Sequence, residues 1–382
     1  MKEAPEAAAD VSQKPVSLAE IALLFLKLGT TAFGGPAAHV AMMEDEFVRR
    51  RKWLSHQEFL DRLGASNLIP GPSSTEMAIH IGFSKRGWPG LIVAGCCFIV
   101  PAAVLVSLIA AAYVRYGALP QVEHILYAVK PVVIAVVAQA FWSLARSAVK
   151  SAWLAVIGVV CTVAYLFHVR ELALLAVAGI AAAGPVLVRS RRTAMLLLAP
   201  MAAVASRPDA VPFGFSRLFL TFLKIGSVLF GSGYVLLAFL RSDFVDRLHW
   251  LSEKQLLDAV AVGQVTPGPV FTTATFIGYI VGGTRGAAVA TVAVFLPAFI
   301  LVAASGPLIP RIRRSALAGA FLDGVIVGSL ALMGVVAWQL GQAAIVDFTT
   351  VAIALVSAIL LFRFHVNSAW LVIGAAVVGW VL

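Results

Sequence analysis

Charge is scarce in this chain. Of its 382 residues only 13% are Asp, Glu, Lys or Arg, against about a quarter in a soluble globular domain, while 60% are hydrophobic. A water-soluble fold has no place for so much apolar surface, because a large part of any fold faces its solvent. Much of this chain must therefore face lipid. Cysteine is scarce too. Cys96, Cys97 and Cys161 all sit in apolar runs with neither Cys-x-x-Cys nor Cys/His spacing, so no disulfide framework or zinc site is implied and all three read as helix filler. No P-loop and no His-Glu-x-x-His occurs, and Phe230 stands where a rhomboid-type Gly-x-Ser-Gly would need glycine before Ser232. Nothing here points to an enzyme, a cofactor or a metal.

The charge that is present is basic, with a net value of +10. It falls in short clusters between apolar runs, such as Arg49-Arg50-Arg51-Lys52, Arg189-Ser190-Arg191-Arg192 and Arg311-Ile312-Arg313-Arg314. That is the pattern of basic loops on the cytoplasmic side of a membrane. It is not the aromatic-interleaved groove of a nucleic-acid binder. Residues 1–17 are Ala-, Pro- and charge-rich and read as a disordered lead; residues 189–214 read as a basic linker.

Between these lie two copies of one unit, 18–188 and 215–382. At an offset of 197, Phe25-Leu26-Lys27-Leu28-Gly29 matches Phe222-Leu223-Lys224-Ile225-Gly226, Phe33-Gly34 matches Phe230-Gly231, Phe47-Val48 matches Phe244-Val245 and Trp53-Leu54-Ser55 matches Trp250-Leu251-Ser252. Asp61 matches Asp258 and Pro70-Gly71-Pro72 matches Pro267-Gly268-Pro269; one residue is then lost, and an offset of 196 pairs Gly82 with Gly278, Pro101 with Pro297 and Trp142 with Trp338. Register held over so many Gly, Pro and Trp positions means duplication.

Hydropathy predicts five crossings per half, at about 18–47, 88–113, 122–146, 150–168 and 170–188, then about 215–244, 286–309, 316–341, 347–363 and 367–382. The segments left over, 56–84 and 252–282, are too interrupted for one crossing and read as broken or re-entrant helical hairpins joined at Pro-Gly-Pro. Five is odd, so the second half should enter the membrane upside down. With inverted halves, 18 of the 29 Lys and Arg fall on one face and 8 on the other, the remaining 3 lying inside apolar runs. The expected fold is thus an all-α integral membrane protein of two inverted-topology repeats in a cell inner or plasma membrane. Its side of entry and any pairing into a homodimer stay open.

Lys27 and Lys224 stand in apolar helices, seven residues before a glycine break. A cation there costs at least ~2.5–3.5 kcal/mol and needs a cavity or a counter-charge, with Asp61 and Asp258 as candidate partners. The breaks are Phe33-Gly34-Gly35-Pro36 and Phe230-Gly231-Ser232-Gly233, echoed by the two Pro-Gly-Pro turns. A helix that restarts leaves free N–H groups and the positive end of its dipole at the break. Four restarts and two ammonium groups converging near the midplane would make an anion site, of the kind secondary transporters build between repeats. Asn67 and Gln264 match each other just before the turns and could donate to an anion or tie down backbone. Ser73, Ser74, Thr75, Thr266, Thr272 and Thr273 could add hydroxyl donors. Glu76 and His80 share a helix face and form a candidate proton-handling pair, although Ser73 to Glu76 also has capping-box spacing. Lys130, His124 and Asp323 read as lone charges near helix ends.

Phe-Gly-Gly-Pro at 33–36, Asn-Leu-Ile-Pro-Gly-Pro at 67–72, Phe-Gly-Ser-Gly-Tyr-Val at 230–235 and Gly-Gln-Val-Thr-Pro-Gly-Pro-Val at 263–270 make the chain resemble two-domain members of the chromate ion transporter family. The resemblance runs from about residue 18 to 340. It implies a tetrahedral dianion as cargo, chromate with sulfate as the natural competitor. The family motifs fall on Gly34, Gly35, Pro36, Pro70, Gly71, Pro72, Gly231, Gly233, Gln264, Thr266, Pro267, Gly268 and Pro269. Where the family carries three glycines in the second break, Ser232 replaces the middle one. An anion channel is the nearest competing reading and sulfate-type uptake another.

Overall fold

Ser17 starts the first helix by accepting the Glu20 N–H at 3.1 Å, and helix α1 runs Leu18–Thr31. The computed structural model describes residues 16–381 apart from 34, 118, 168, 190–211, 231–232 and 365. Most of the lead and of the basic linker, together with Gly34, Gly231 and Ser232, lies outside the described residues.

Past the break, α2 (Gly35–Glu44) restarts on Gly35 at φ +78°, a backbone conformation suited to glycine, with Pro36 in its first turn. It winds into a π-helical turn, Asp45–Arg50. A capping box between Ser55 and Glu58 opens α3 (His56–Ser66). The Pro70-Gly71-Pro72 turn leads into α4 (Ser73–Tyr116), which is not one rod. Arg86 and Gly87 are non-helical, Gly87 at φ +57°, so a short first arm folds back against a long second one. A β-carbon on Gly82 would overlap the Gly90 carbonyl, so these two glycines let the arms touch. Then follow α5 (Pro120–Ala148), α6 (Ala152–Leu166) and α7 (Glu171–Arg189).

The second half runs through the same order: α8 (Phe215–Val228), a 3₁₀ turn at Gly233–Val235, α9 (Leu236–Leu240), a π-helical turn at Arg241–Arg247, and α10 (Glu253–Val265) with a Ser252/Gln255 capping box. After Pro267-Gly268-Pro269 come a 3₁₀ turn (Val270–Thr272) and α11 (Thr273–Arg314), broken at Gly282 and Gly283, then α12 (Ala316–Ala344), α13 (Phe348–Phe364) and α14 (Ser368–Val381). The residue lost between the copies falls where the second half has its 3₁₀ turn, which climbs more per residue than an α-helix.

Packing interlocks the halves. The long helices α4 and α11 lie against each other, with α1 on α4 and α8 on α11. Peripheral pairs are exchanged: α6 and α7 of the first half pack on α12, while α13 and α14 of the second pack on α5. Matched aromatic stacks seal each broken helix, Phe25–Phe47–Trp53 in one half and Phe222–Phe244–Trp250 in the other. Leu108, Val159, Phe348, Trp370 and Trp380 stay exposed on the periphery, as lipid-facing side chains do.

Ser73–Tyr116, Gln121–Ala148, Val270–Ser305 and Ala316–Ala344 are long and apolar enough to cross a membrane, which makes this an all-helical protein built for several crossings. The helices expected at 150–168, 170–188, 347–363 and 367–382 form, but their apolar stretches, Ala152–Leu166, Glu171–Val186, Phe348–Phe364 and Ser368–Val381, run only 14–17 residues. At 1.5 Å per residue that is at most about 26 Å, short of the ~30 Å hydrocarbon core.

Candidate functional site

The two Pro-Gly-Pro turns and the two glycine breaks meet, and they meet across the halves. The Gly71 N–H donates to the Leu229 carbonyl at 2.8 Å, at the end of α8; the Gly268 N–H donates to the Ala32 carbonyl at 2.9 Å, at the end of α1. Each turn thus supplies a donor to a carbonyl that the broken helix of the other half leaves without an intrahelical partner. Within the first half, His39 joins the restarts of α2 and α4: its Nε2 lies 3.1 Å from the Ala32 carbonyl and its Nδ1 3.3 Å from Ser74 Oγ. Within the second, Gly233 sits against Val270 and Phe271. Both turn glycines hold positive φ, +141° at Gly71 and +90° at Gly268. Neither has room for a side chain. A β-carbon on Gly71 would overlap Glu76 Oε1, and one on Gly268 would lie 2.6 Å from Ala102 Cβ.

Pro72 is the N-cap of α4 and makes no side-chain cap bond, so the box suggested by Ser73 and Glu76 does not form. Glu76 is instead fully buried, both carboxyl oxygens without a hydrogen-bond partner, and His80 one turn on is buried with its Nε2 unpartnered. Spacing alone misled here, because the true caps are Ser55 and Ser252. The matched amides also part ways: Gln264 is buried with its Nε2 unpartnered, whereas Asn67 is exposed at the end of α3. Among the hydroxyls, Thr266, Thr272 and Thr273 donate to the carbonyls of Val262, Pro269 and Val270 at 2.8–2.9 Å. Thr75 Oγ1 is buried and unpartnered. Ser74 is engaged with His39.

The lysines are not bare ammonium groups beside the turns. Lys224 Nζ lies 2.5 and 2.6 Å from the two oxygens of Asp243, which Arg247 also approaches at 2.9 Å. Lys27 is 61% exposed, 4.0 Å from Glu46, on a cavity of about 360 Å³ that it shares with Thr31, Asp45, Glu46 and Arg50. The counter-charges are Glu46 and Asp243 of the π-helical turns, not Asp61 and Asp258. The sequence held the signal: these two acids match at the same offset and immediately precede Phe47 and Phe244.

Asp258 has other partners. It is fully buried, accepts from the Tyr113 hydroxyl at 2.8 Å and lies 3.0 Å from Lys130. Lys130 is therefore no lone charge, and neither is Asp323, 2.7 Å from Lys150. His39 escaped the sequence reading because its counterpart is Leu236, so duplication gives no hint of it. Among the described residues no cluster of three His, Cys, Asp or Glu could hold a metal ion.

Comparison with known proteins bears on this arrangement. The profile of the family described as Chromate transporter matches twice, over residues 19–184 and 216–380. The chain is 31% identical to the chromate transport protein of Cupriavidus metallidurans, covering 98% of this chain and 95% of that one. It is 30% identical to the chromate transport protein of Pseudomonas aeruginosa, over 99% and 96%, and 29% identical to a probable chromate transport protein of Synechococcus elongatus, over 90% and 89%. No solved structure matches. Two matches of one family profile, each to a half that carries its own helix break and Pro-Gly-Pro turn, settle the family: the chain belongs to the chromate transporters.

Proposed function

We propose that this protein exports a tetrahedral oxyanion, chromate above all, through a site built where the four helix restarts converge, and so confers chromate resistance. The observation that carries the reading is the reciprocal pair of hydrogen bonds from Gly71 to Leu229 and from Gly268 to Ala32, which makes both halves contribute to one centre. Restarting helices aim N–H groups and positive dipole ends at that centre, and the unpartnered Gln264 and Thr75 add donors to it. Four oxygens of a tetrahedral dianion match donors arriving from several directions.

The halves are read as entering the membrane from opposite sides, with the segments around Pro-Gly-Pro as re-entrant hairpins. The odd number of expected crossings and the lopsided placement of Lys and Arg support this. Direction follows from charge. One elementary charge crossing 100 mV is worth ~2.3 kcal/mol, so a dianion gains about twice that on leaving an inside-negative cell. Export needs no other energy source against modest gradients. Uptake of sulfate would have to bring enough protons to reverse that term.

Purified protein in potential-clamped proteoliposomes tests the reading. Chromate loaded inside should leave under an inside-negative voltage, saturably and with counterflow, and sulfate should compete. Chromate that stays put under that voltage sinks export. Single-channel currents would make the site a pore.

A further inference from the structure

Glu76 is an acid whose charge nothing in the fold compensates. It is fully buried, both carboxyl oxygens lack a hydrogen-bond partner, and no neighbouring charge offsets its burial. The groups around it are spent elsewhere. The Gly71 turn, against which the carboxyl folds back, gives its N–H to Leu229, and His39 on α2 is engaged with Ala32 and Ser74. On α3, Arg62 bonds the Glu58 carbonyl at 2.8 Å, while α11 presents apolar Ala298 near the turn. A carboxylate sealed off in this way would strand a bare charge, far costlier to bury than the neutral acid. Glu76 is therefore held as a carboxylic acid. Such an acid keeps one O–H, and that hydrogen finds no acceptor in the fold. Buried polar groups are ordinarily paired. Here the shortage is shared: the Thr75 hydroxyl, the Gln264 amide nitrogen and Nε2 of His80 are buried and unpartnered too. Thr266, Thr272 and Thr273, by contrast, spend their hydroxyls on backbone carbonyls. What this lining lacks is acceptors, and a tetrahedral oxyanion brings nothing else.

Resting on the reading of the centre as an oxyanion site, we infer that Glu76 is a permanently neutral donor: a carboxylic acid in the empty and the loaded protein alike, giving its O–H to an anion oxygen. Recognition at this position thus gains a hydrogen bond without adding a charge or moving a proton. A carboxylate in the same place would repel the dianion. The neutral acid attracts it and leaves both its charges to the membrane voltage.

Infrared difference spectra of the full-length protein, taken as chromate is added, read the acid directly. The other buried acids among the described residues, Asp243 and Asp258, are ion-paired, so a carboxylic-acid C=O band at neutral pH belongs to Glu76. That band should be present before chromate, should shift as chromate binds without turning into a carboxylate band, and should be missing in Glu76→Gln. Titration calorimetry adds the affinities. Glu76→Met, of similar size but with no donor, should bind chromate about ten- to a hundredfold more weakly, the loss expected for one hydrogen bond to a charged group. Glu76→Gln, whose amide can donate, should recover most of that loss. Thermal unfolding shows whether each variant folds, and the wild-type spectra decide the matter even if neither does. A band that becomes a carboxylate, a band that chromate leaves unmoved, a folded Glu76→Met that binds as tightly as the wild type, or a folded Glu76→Gln no better than Glu76→Met overturns the inference and leaves the oxyanion site standing. A wild type that binds no chromate overturns both.

Discussion

The first half of the molecule lines its restarts with His39, Glu76 and His80; at the matched positions the second half has Leu236, Thr272 and Phe276. The backbones agree in their π-helical turns and capping boxes, yet at these three matched positions the titratable groups belong to the first half. A second contrast runs the other way. Asp61 is exposed beside Gln57, while its partner in the repeat, Asp258, is buried between Lys130 and Tyr113 and ties α10 to α4 and α5 of the opposite half. Duplication kept the frame, while a buried aspartate ties down α10 in the second copy and the first copy keeps buried titratable side chains at its restarts.

The sharpest way to break that contrast is to remove each aspartate. Asp258→Ala leaves Lys130, whose side chain is only 12% exposed, without its partner, a loss approaching the ~3–5 kcal/mol typical of a broken buried pair. The double variant with Lys130→Met should recover much of it, since no charge is then stranded. Asp61→Ala should change stability by no more than about 0.5 kcal/mol. Thermal unfolding of the detergent-solubilised protein reads all three, and equal losses at the two aspartates would abolish the distinction between the buried aspartate and the exposed one.

The turn glycines come next. Gly268→Ala would force a β-carbon onto Ala102 Cβ and within 3.1 Å of the Gly29 carbonyl, at a φ that disfavours any side chain. Overpacking typically costs ~1–3 kcal/mol and such backbone strain about as much again. Gly71→Ala meets the tip of Glu76, which can swing away, so its cost should be smaller and Glu76→Ala should relieve part of it. Nothing comparable can relieve Gly268→Ala, because what it meets is backbone and an alanine. Unfolding temperatures of the two single variants and the double variant check the order.

What the sequence made legible and what it hid divide along a physical line. Gly35, Gly71 and Gly268 adopt positive φ, and proline removes an N–H, so those breaks were readable from residue type; the fold-backs at Gly87 and Gly283, also at positive φ, went unread because no proline turn marks them. Side-chain partners were not. Lys130 meets Asp258 only because α5 packs beside α10, and that contact depends on how the halves interlock. Glu76 shows the limit of spacing: Ser followed three residues later by Glu describes a cap at Ser55 and a buried acid at the start of α4. The difference lies in whether Pro72 has already taken the capping position. The counter-charges of Lys27 and Lys224, Glu46 and Asp243, stand one residue from the Phe47/Phe244 match that sets the register of the repeat.

Those lysines give the smallest contrast. Lys224→Met leaves Asp243 nearly buried but still held by Arg247 at 2.9 Å, so the loss should be about 1–2 kcal/mol, below that of a fully stranded charge. Lys27→Met removes a side chain that is 61% exposed and 4.0 Å from its acid, and should cost less than about 1 kcal/mol. Chromate flux in proteoliposomes adds the functional half of the comparison. With both ammonium groups engaged by the π-helical turns rather than aimed at the restarts, each variant should keep flux within about tenfold of wild type. If Lys27→Met folds normally yet stops flux, its ammonium group meets the anion after all. The cavity it shares with Arg50 and Thr31 would then be where the anion waits before reaching the centre.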